Sequence, residues 1–383
     1  MEYQKYIDEA TEKFKELMTA QLERQLKMEE AEPKKDFANM DKITIGVIGG
    51  DGIGPAITAE SVKVLRNLLA AEIESGKVAI KEIEGLTIEN REKTGQAVPE
   101  DVMAEIKSCD VLLKGPTTTP KGGTMESANV TIRRELDLFA NVRPVKVPAE
   151  GIDWIFFREN TEGEYALGSK GVEIPEKLAM DFKVTTKGGT ERIARAAFDH
   201  AKANGKTKVA IITKANVIKK TDGNFSAICH EVAKEYPGIE AEDYYADIMT
   251  ANLIKPAVRR SYQVFVLPNL YGDIISDEAA EIQGGVGTAG SANVGDRYAM
   301  FEAIHGSGLR MLEDGREKYA DPSSMFKAAE MMLRHIGFIE QADKLDAALL
   351  ACQEEAALKV TGRSDGATGA EYAEYVMSKL GCG

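Results

Sequence analysis

Lys42-Ile-Thr-Ile-Gly-Val-Ile48 runs directly into Gly49-Gly-Asp-Gly-Ile-Gly54 and then Pro55. The first stretch is short, apolar and rich in β-branched residues, which predicts a strand. The glycines predict a tight turn, and Pro55 suits the first turn of a helix running to Leu69. Strand, glycine turn and helix in that order open an α/β fold. Working outward, strands are predicted at Ser108–Leu113, Asp153–Phe157, Lys208–Ile212 and Gln263–Pro268. Helical stretches lie between them, such as Thr190–Ala203 with Thr190 as its N-cap. The alternation implies an α/β protein with a largely parallel sheet. A second domain is expected to be inserted into the first, with Pro/Gly signals near 144–151 and 284–290 as the crossings.

The glycine loop is not a dinucleotide fingerprint. After Gly50-x-Gly52 the next fingerprint glycine falls on Pro55, and no Walker lysine follows. A turn beside a ligand and a purely structural turn both remain open.

Composition narrows the function classes. The 383 residues allow one large domain or two ordinary ones. Acidic residues outnumber basic ones, 62 to 48, for a net charge of −14, which disfavours nucleic acid as a partner. A small anionic substrate is still compatible, because a basic pocket can sit inside an acidic protein. No apolar run approaches the ~20 residues a bilayer span needs, so no membrane partner is expected. The N-terminus has no apolar signal region and is too acidic for a transit peptide, so a cytoplasmic location is expected. Cys109, Cys229, Cys352 and Cys382 are scattered, with no CxxC, which points to neither zinc nor a disulfide framework. Residues 1–40 stand apart as an N-terminal extension. Ile7, Ala10, Phe14, Leu17, Leu22 and Leu26 recur at roughly helical spacing, predicting an amphipathic helix packed on its own subunit or a neighbour. It is expected to end near Glu32-Pro33-Lys34-Lys35.

The chemistry gathers elsewhere. In Asn269-Leu-Tyr-Gly-Asp273-Ile-Ile-Ser-Asp277 the two aspartates are four apart, on one face if the segment is helical. Two such oxygens suit a hard divalent cation. Most acid pairs at this spacing are merely solvated. Here the run Val264-Phe-Val-Leu-Pro268 leads straight into the pair and puts it at a strand's C-terminal end, where ligands collect in open α/β sheets. Arg133, Arg143 and Arg158, each near apolar sequence, read as a clamp for several carboxylates, since guanidinium pairs with carboxylate bidentately. Any one of them alone would read as an ordinary surface arginine.

The chain resembles the isocitrate and isopropylmalate dehydrogenases, a family of β-decarboxylating enzymes, over roughly residues 42–380. The marks are Gly50-Asp-Gly-Ile-Gly-Pro55, the Ser127-to-Arg143 segment, Arg158-Glu-Asn-Thr-Glu162, Lys214-Ala-Asn216, Asn269-Leu-Tyr-Gly-Asp273 and Glu302-Ala-Ile-His305-Gly-Ser307. The resemblance implies a discontinuous large α/β domain with an inserted smaller α/β domain. On this chain that gives an extension at 1–40, a large cofactor-binding domain at 41–140 and 284–383, and a small domain at 141–283. It implies an obligate homodimer, a small-molecule substrate, Mg²⁺ or Mn²⁺, and NAD or NADP bound without a Rossmann fingerprint.

Carried over by position, the resemblance makes Arg133, Arg143 and Arg158 the substrate clamp and Tyr165 the residue that protonates the enol. Lys214 becomes the catalytic lysine, supplied with the metal ligand Asp247 by the partner subunit. Asp273 and Asp277 become the home-subunit metal ligands. Ser127 and Asn129, where isopropylmalate enzymes carry leucines, favour isocitrate through its γ-carboxylate. Homoisocitrate, tartrate, malate and a non-catalytic regulatory subunit stay open. Thr119, Asn216, Glu302, His305, Gly306, Arg310 and Asp321 are the implied cofactor residues. Arg310, with Arg363 as a neighbour, tips the balance slightly towards NADP.

Overall fold

The computed structural model describes residues 3–29, 34–120, 125–168 and 170–381. The expected helix breaker at Glu32-Pro33 and the cysteine at 382 lie outside them. Twelve strands occur among the described residues: β1 (Ile43–Ile48), β2 (Val78–Glu82), β3 (Val111–Lys114), β4 (Ala140–Val147), β5 (Ile152–Glu159), β6 (Val172–Ile174), β7 (Leu178–Met180), β8 (Lys208–Thr213), β9 (Glu240–Tyr245), β10 (Val264–Leu267), β11 (Gly290–Val294) and β12 (Ala299–Ala303).

The chain forms two compact units. One holds residues 35–153 and 276–383; the other holds residues 154–275, the stretch between those two, together with residues 1–34. One limit falls within β5 and the other within the helix Asn269–Gln283, so neither lies in a proline- or glycine-rich loop.

In the first unit the strand order is β2-β1-β3-β12-β11-β4. The pairs β1–β2, β1–β3 and β3–β12 are parallel, while β11 runs antiparallel to both β12 and β4. β1 is buried along almost its whole length, as expected for a parallel strand with both faces covered. The helix after the glycine loop, Gly54–Leu68, buries Ile57, Val64 and Leu65 against Ile45, Leu113, Phe301 and Phe326. In the second unit the order is β5-β10-β8-β9, parallel throughout. Its centre is aromatic: Phe156 and Phe265 stack at 4.2 Å, and Trp154 meets Phe265 edge-on at 5.8 Å.

Three sequence expectations are corrected. The strand read from Ser108 starts at Val111, because Ser108 still closes the preceding helix through its backbone N–H. The helix capped at Thr190 begins a turn earlier, at Lys187. Its cap is Thr186, whose hydroxyl accepts from the Gly189 N–H, and Thr190 sits buried inside the helix. Two threonines flank Lys-Gly-Gly, and glycine's poor helix propensity favoured the later start.

The third correction concerns the N-terminal helix, Gln4–Glu29. It packs on its own unit, but only part of the apolar stripe read from the sequence takes part: Ala10 and Leu17 are partly buried and Phe14 lies 5.5 Å from the Phe182 ring. Ala10, Lys13, Leu17, Gln21, Arg24 and Met28 form the partly buried face, whereas Leu22 and Leu26 are 63% and 64% exposed. Polar anchors, including a Lys13 Nζ bond to the Gly171 carbonyl at 2.6 Å, set the rotation of this helix. Apolar spacing alone could not reveal them. Among the described residues, no helix is long and apolar enough to cross a membrane.

Candidate active site

The acid pair lies on the helix Asn269–Gln283, which follows the fully buried strand β10. The limit between the units falls between the two aspartates, and each carboxylate is engaged within its own unit. Asp273 accepts from Arg158, and its second oxygen takes the Tyr165 hydroxyl at 2.9 Å. Arg158 is 1% exposed. Its Nε and one terminal nitrogen bond Asn269 Oδ1 at 3.0 and 2.6 Å, and its guanidinium carbon lies 5.2 Å from the centre of the Tyr165 ring. Gly272 makes this approach possible: a Cβ there would fall 2.4 Å from Arg158 Cγ. The glycine in Asn-Leu-Tyr-Gly-Asp is thus explained by a neighbouring side chain, not by its own dihedrals.

In the other unit Arg143, also buried, donates to Asp277 at 2.7 Å and to the Ser276 hydroxyl at 2.8 Å. Both expected metal ligands therefore sit against expected clamp arginines, and both acids keep substantial exposure.

Arg133 is held differently. It lies on the helix Ala128–Glu135 and bonds Glu302 at 2.9 Å. Glu302 on β12 is 4% exposed and also accepts from Lys114 Nζ at 3.0 Å and Asn293 Nδ2 at 2.8 Å. Burial pushes this acid up, but Lys114 and Arg133 outweigh it and hold it down at about 2. Asn293 in turn accepts from Asn141 at 2.9 Å. Glu302, expected at the cofactor, is occupied with orienting Arg133. Lys114, Asn141, Asn269 and Asn293 were not picked out from the sequence. Lys114 carried a signal: a lysine ending the apolar run Val111-Leu-Leu must be paired if that run is a buried strand.

Ser127 stands at the N-cap of the Arg133 helix without its hydroxyl closing the first turn, and Asn129 Oδ1 accepts from Thr117 at 3.0 Å. The glycine loop is fixed by backbone contacts within the same unit. Gly50 and Gly52 have positive φ, and a Cβ on either would strike the Pro116 or Ser307 carbonyl oxygen at 2.2 or 2.0 Å. Asp51 accepts from the Ile88 and Thr118 N–H groups, both at 2.7 Å. The loop thereby ties the Thr117–Thr119 segment to the loop following His305, where the Thr118 and Ser307 hydroxyls meet at 2.8 Å.

The expected cofactor residues divide between the units. Thr119, His305, Gly306, Arg310 and Asp321 share the first unit with Glu302, and Asn216 is exposed in the second. His305 Nδ1 donates to the Gly306 carbonyl at 2.9 Å. Arg310 is exposed on the short helix Leu309–Glu313. Burial raises the Asp321 carboxyl, which accepts the Ser323 N–H at 2.9 Å.

Lys214 and Asp247 form a constellation of their own. Lys214 Nζ bonds Asp247 at 2.5 Å and lies 5.7 Å from the Tyr245 ring centre. That bond lowers the Asp247 carboxyl, which remains largely exposed. Among the described residues, no three His, Cys, Asp or Glu side chains converge to hold a metal ion. Asp273 and Asp277 lie four residues apart on one helix.

Against known proteins, residues 44–369 match the family model for isocitrate/isopropylmalate dehydrogenase. The isocitrate dehydrogenase (NADP) of Rickettsia bellii is 39% identical over 90% of this chain and 71% of that protein. Subunit 2 of the mitochondrial isocitrate dehydrogenase (NAD) of Schizosaccharomyces pombe is 34% identical over 88% of this chain and 87% of that one. The crystal structure of isocitrate dehydrogenase from Methylococcus capsulatus superposes with a TM-score of 0.78 at 34% identity, covering 88% of this chain and 99% of that chain. On these matches the chain is a member of the isocitrate/isopropylmalate dehydrogenase family of decarboxylating dehydrogenases.

Proposed function

We propose that the protein catalyses the oxidative decarboxylation of isocitrate to 2-oxoglutarate, with hydride transfer to a nicotinamide dinucleotide and dependence on Mg²⁺ or Mn²⁺. One observation carries the reading: the two acids of the pair are each engaged by a buried arginine, Arg158 and Arg143. A site of that kind suits a metal–polycarboxylate chelate. With a cation bound, Asp273 and Asp277 would pair with it, leaving the Arg158 and Arg143 guanidiniums to take the substrate carboxylates. Neither charge set is left unpaired in either state, which keeps the desolvation cost low.

Asp273, Asp277 and a second subunit's Asp247 would hold the metal, which when bound lowers the alcohol's pKa and stabilises the enolate left after CO₂ loss. The dinucleotide, when bound, accepts the hydride. The remaining steps are this chain's own. Arg133, Arg143 and Arg158 orient the carboxylates; Glu302 keeps Arg133 in place. Lys214 takes up the hydroxyl proton, and Tyr165, 2.9 Å from Asp273, returns one to carbon. As the family resemblance implies, the complete site is assigned to a homodimer in which each subunit lends the bonded pair Lys214 and Asp247 to the other.

Isocitrate is preferred over isopropylmalate because Ser127 and Asn129 offer hydrogen bonds at the start of the Arg133 helix. An apolar side chain there would leave a carboxylate unsatisfied. Replacing both by leucine is expected to lower kcat/KM for isocitrate by roughly 10²–10⁴-fold, the range for removing a site's polar partners. An unchanged kcat/KM would refute the assignment. NADP is favoured slightly over NAD on the charge of Arg310. The decisive experiment is a two-by-two assay, isocitrate against isopropylmalate and NADP against NAD, with Mn²⁺ and absorbance at 340 nm. Turnover of isopropylmalate alone would replace this reading, and no turnover with either acid would sink it.

A further inference from the structure

The N-terminal helix has no part in the mechanism above, yet it ends on the same segment that carries Arg158. Its docking is unusual in its chemistry. Leu22 and Leu26 stay in solvent while Arg24, on the opposite face of the helix, is drawn in to 21% side-chain exposure. Arg24 donates from one terminal nitrogen to Glu162 at 3.3 Å and from the other to the Thr161 hydroxyl at 3.0 Å. Beside it and one turn further on, Gln25 and Met28 lie against Gly188 at the start of the helix Lys187–Ala203. The helix is thus seated where Arg24 works.

Glu162 is a junction, 2% exposed. Its carboxylate takes the Thr186 N–H at 2.9 Å and the Thr186 hydroxyl, at the cap of the helix Lys187–Ala203. Its main-chain carbonyl takes Asn269 Nδ2 at 3.0 Å. Asn269 Oδ1 then receives both the Nε and a terminal nitrogen of Arg158. Thr161, Arg24's other acceptor, hydrogen-bonds Glu159 at 2.7 Å and also receives Arg192 at 3.0 Å. Glu159 and Glu162 place two buried acids within four residues of the clamp arginine, and Arg24 is a cation brought to Glu162 from the far end of the sequence. Every link lies in one unit of the fold.

We propose that Arg24 is a positioning residue for the substrate site: through Glu162 and Asn269 it fixes the Arg158 guanidinium, which makes the N-terminal helix a working part of the enzyme. This rests on the reading of Arg158 as a substrate clamp. Arg24 touches no reacting atom, so its effect passes through Arg158, a group that holds substrate before and during reaction. Loss of such a group raises KM more than it lowers kcat.

The test compares wild type with Arg24→Ala, Arg24→Lys and Lys13→Ala. Lys13 is the control, anchoring the same helix through the Gly171 carbonyl without joining the network. Isocitrate KM and kcat are measured with Mn²⁺, and isocitrate binding by calorimetry, with thermal unfolding as the check on folding. Arg24→Ala is expected to raise KM roughly tenfold and weaken binding alike, with kcat within about twofold, the size of coupling carried by packed networks. Arg24→Lys should recover part of the loss, and Lys13→Ala should leave KM within about twofold of wild type. A folded Arg24→Ala with unchanged KM and binding overturns the proposal. So does a Lys13→Ala defect equal to that of Arg24→Ala, since helix docking alone would then account for it. Wild type that neither binds nor turns over isocitrate overturns the functional reading, and this proposal with it.

Discussion

Mixing two inactive variants, Lys214→Met and Asp273→Asn, is expected to restore activity. Lys214→Met is expected to lower kcat for isocitrate by roughly 10²–10⁴-fold, the usual loss on removing a proton-transfer group, and Asp273→Asn, which removes a proposed metal ligand, is expected to be as damaging. After co-refolding or co-expression, half of the randomly formed dimers carry one chain of each kind. In such a dimer one of the two sites combines an intact Asp273 with an intact Lys214, so activity returns to about a quarter of the wild-type level. The expectation rests on the proposed dimer, in which the second subunit supplies Lys214 and Asp247. Lys214 has Asp247 and the Tyr245 ring as its neighbours, while Asp273 is engaged by Arg158 and Tyr165. A site completed within one subunit predicts no recovery on mixing. Activity of the mixture at the level of the separate variants would overturn the shared-site reading.

The second large effect is on stability. Lys114→Met is expected to destabilise the protein by roughly 3–5 kcal/mol, because it strips a cation from a buried carboxylate. Lys114 is fully buried, and Glu302 beside it is 4% exposed, so solvent cannot replace the lost partner. The double variant Lys114→Met/Glu302→Gln should recover part of the loss, since it removes the stranded charge as well. The pH dependence has a defined sign. Glu302 is held at about 2, below its ordinary value of 4.5. Its contribution is therefore complete above about 4.5 and is lost as pH falls towards 2, amounting to about 3 kcal/mol. Urea unfolding between pH 3 and 7 should show wild type losing more stability on acidification than the double variant. A Lys114→Met variant within 1 kcal/mol of wild type at pH 7 would refute the account.

Much of the fold was readable because it rests on local signals. The run Ile43–Ile48, the glycine turn and Pro55 each state a backbone preference, and the strand and helix fall within a residue of where those preferences put them. Thr186 and Thr190 mark the limit: both are good caps, and the choice between them depends on Glu162, which binds the Thr186 backbone N–H. The N-terminal helix was legible as a helix but not in its orientation, because its docking turns on Arg24 meeting two acceptors more than 130 residues away.

By itself, the sequence determined the class of chemistry. The acid pair after an apolar strand, three arginines near apolar segments and a glycine loop without a fingerprint are statements about residue type and spacing, which the chain carries locally. Only the tertiary structure decided how those charges are partnered: Asp273 with Arg158, Asp277 with Arg143, Arg133 with Glu302 and Lys114. Ion pairs join residues far apart in the chain, and burial sets their strength. Neither partner choice nor burial is encoded at any one position; both arise when strands and helices bring distant side chains together.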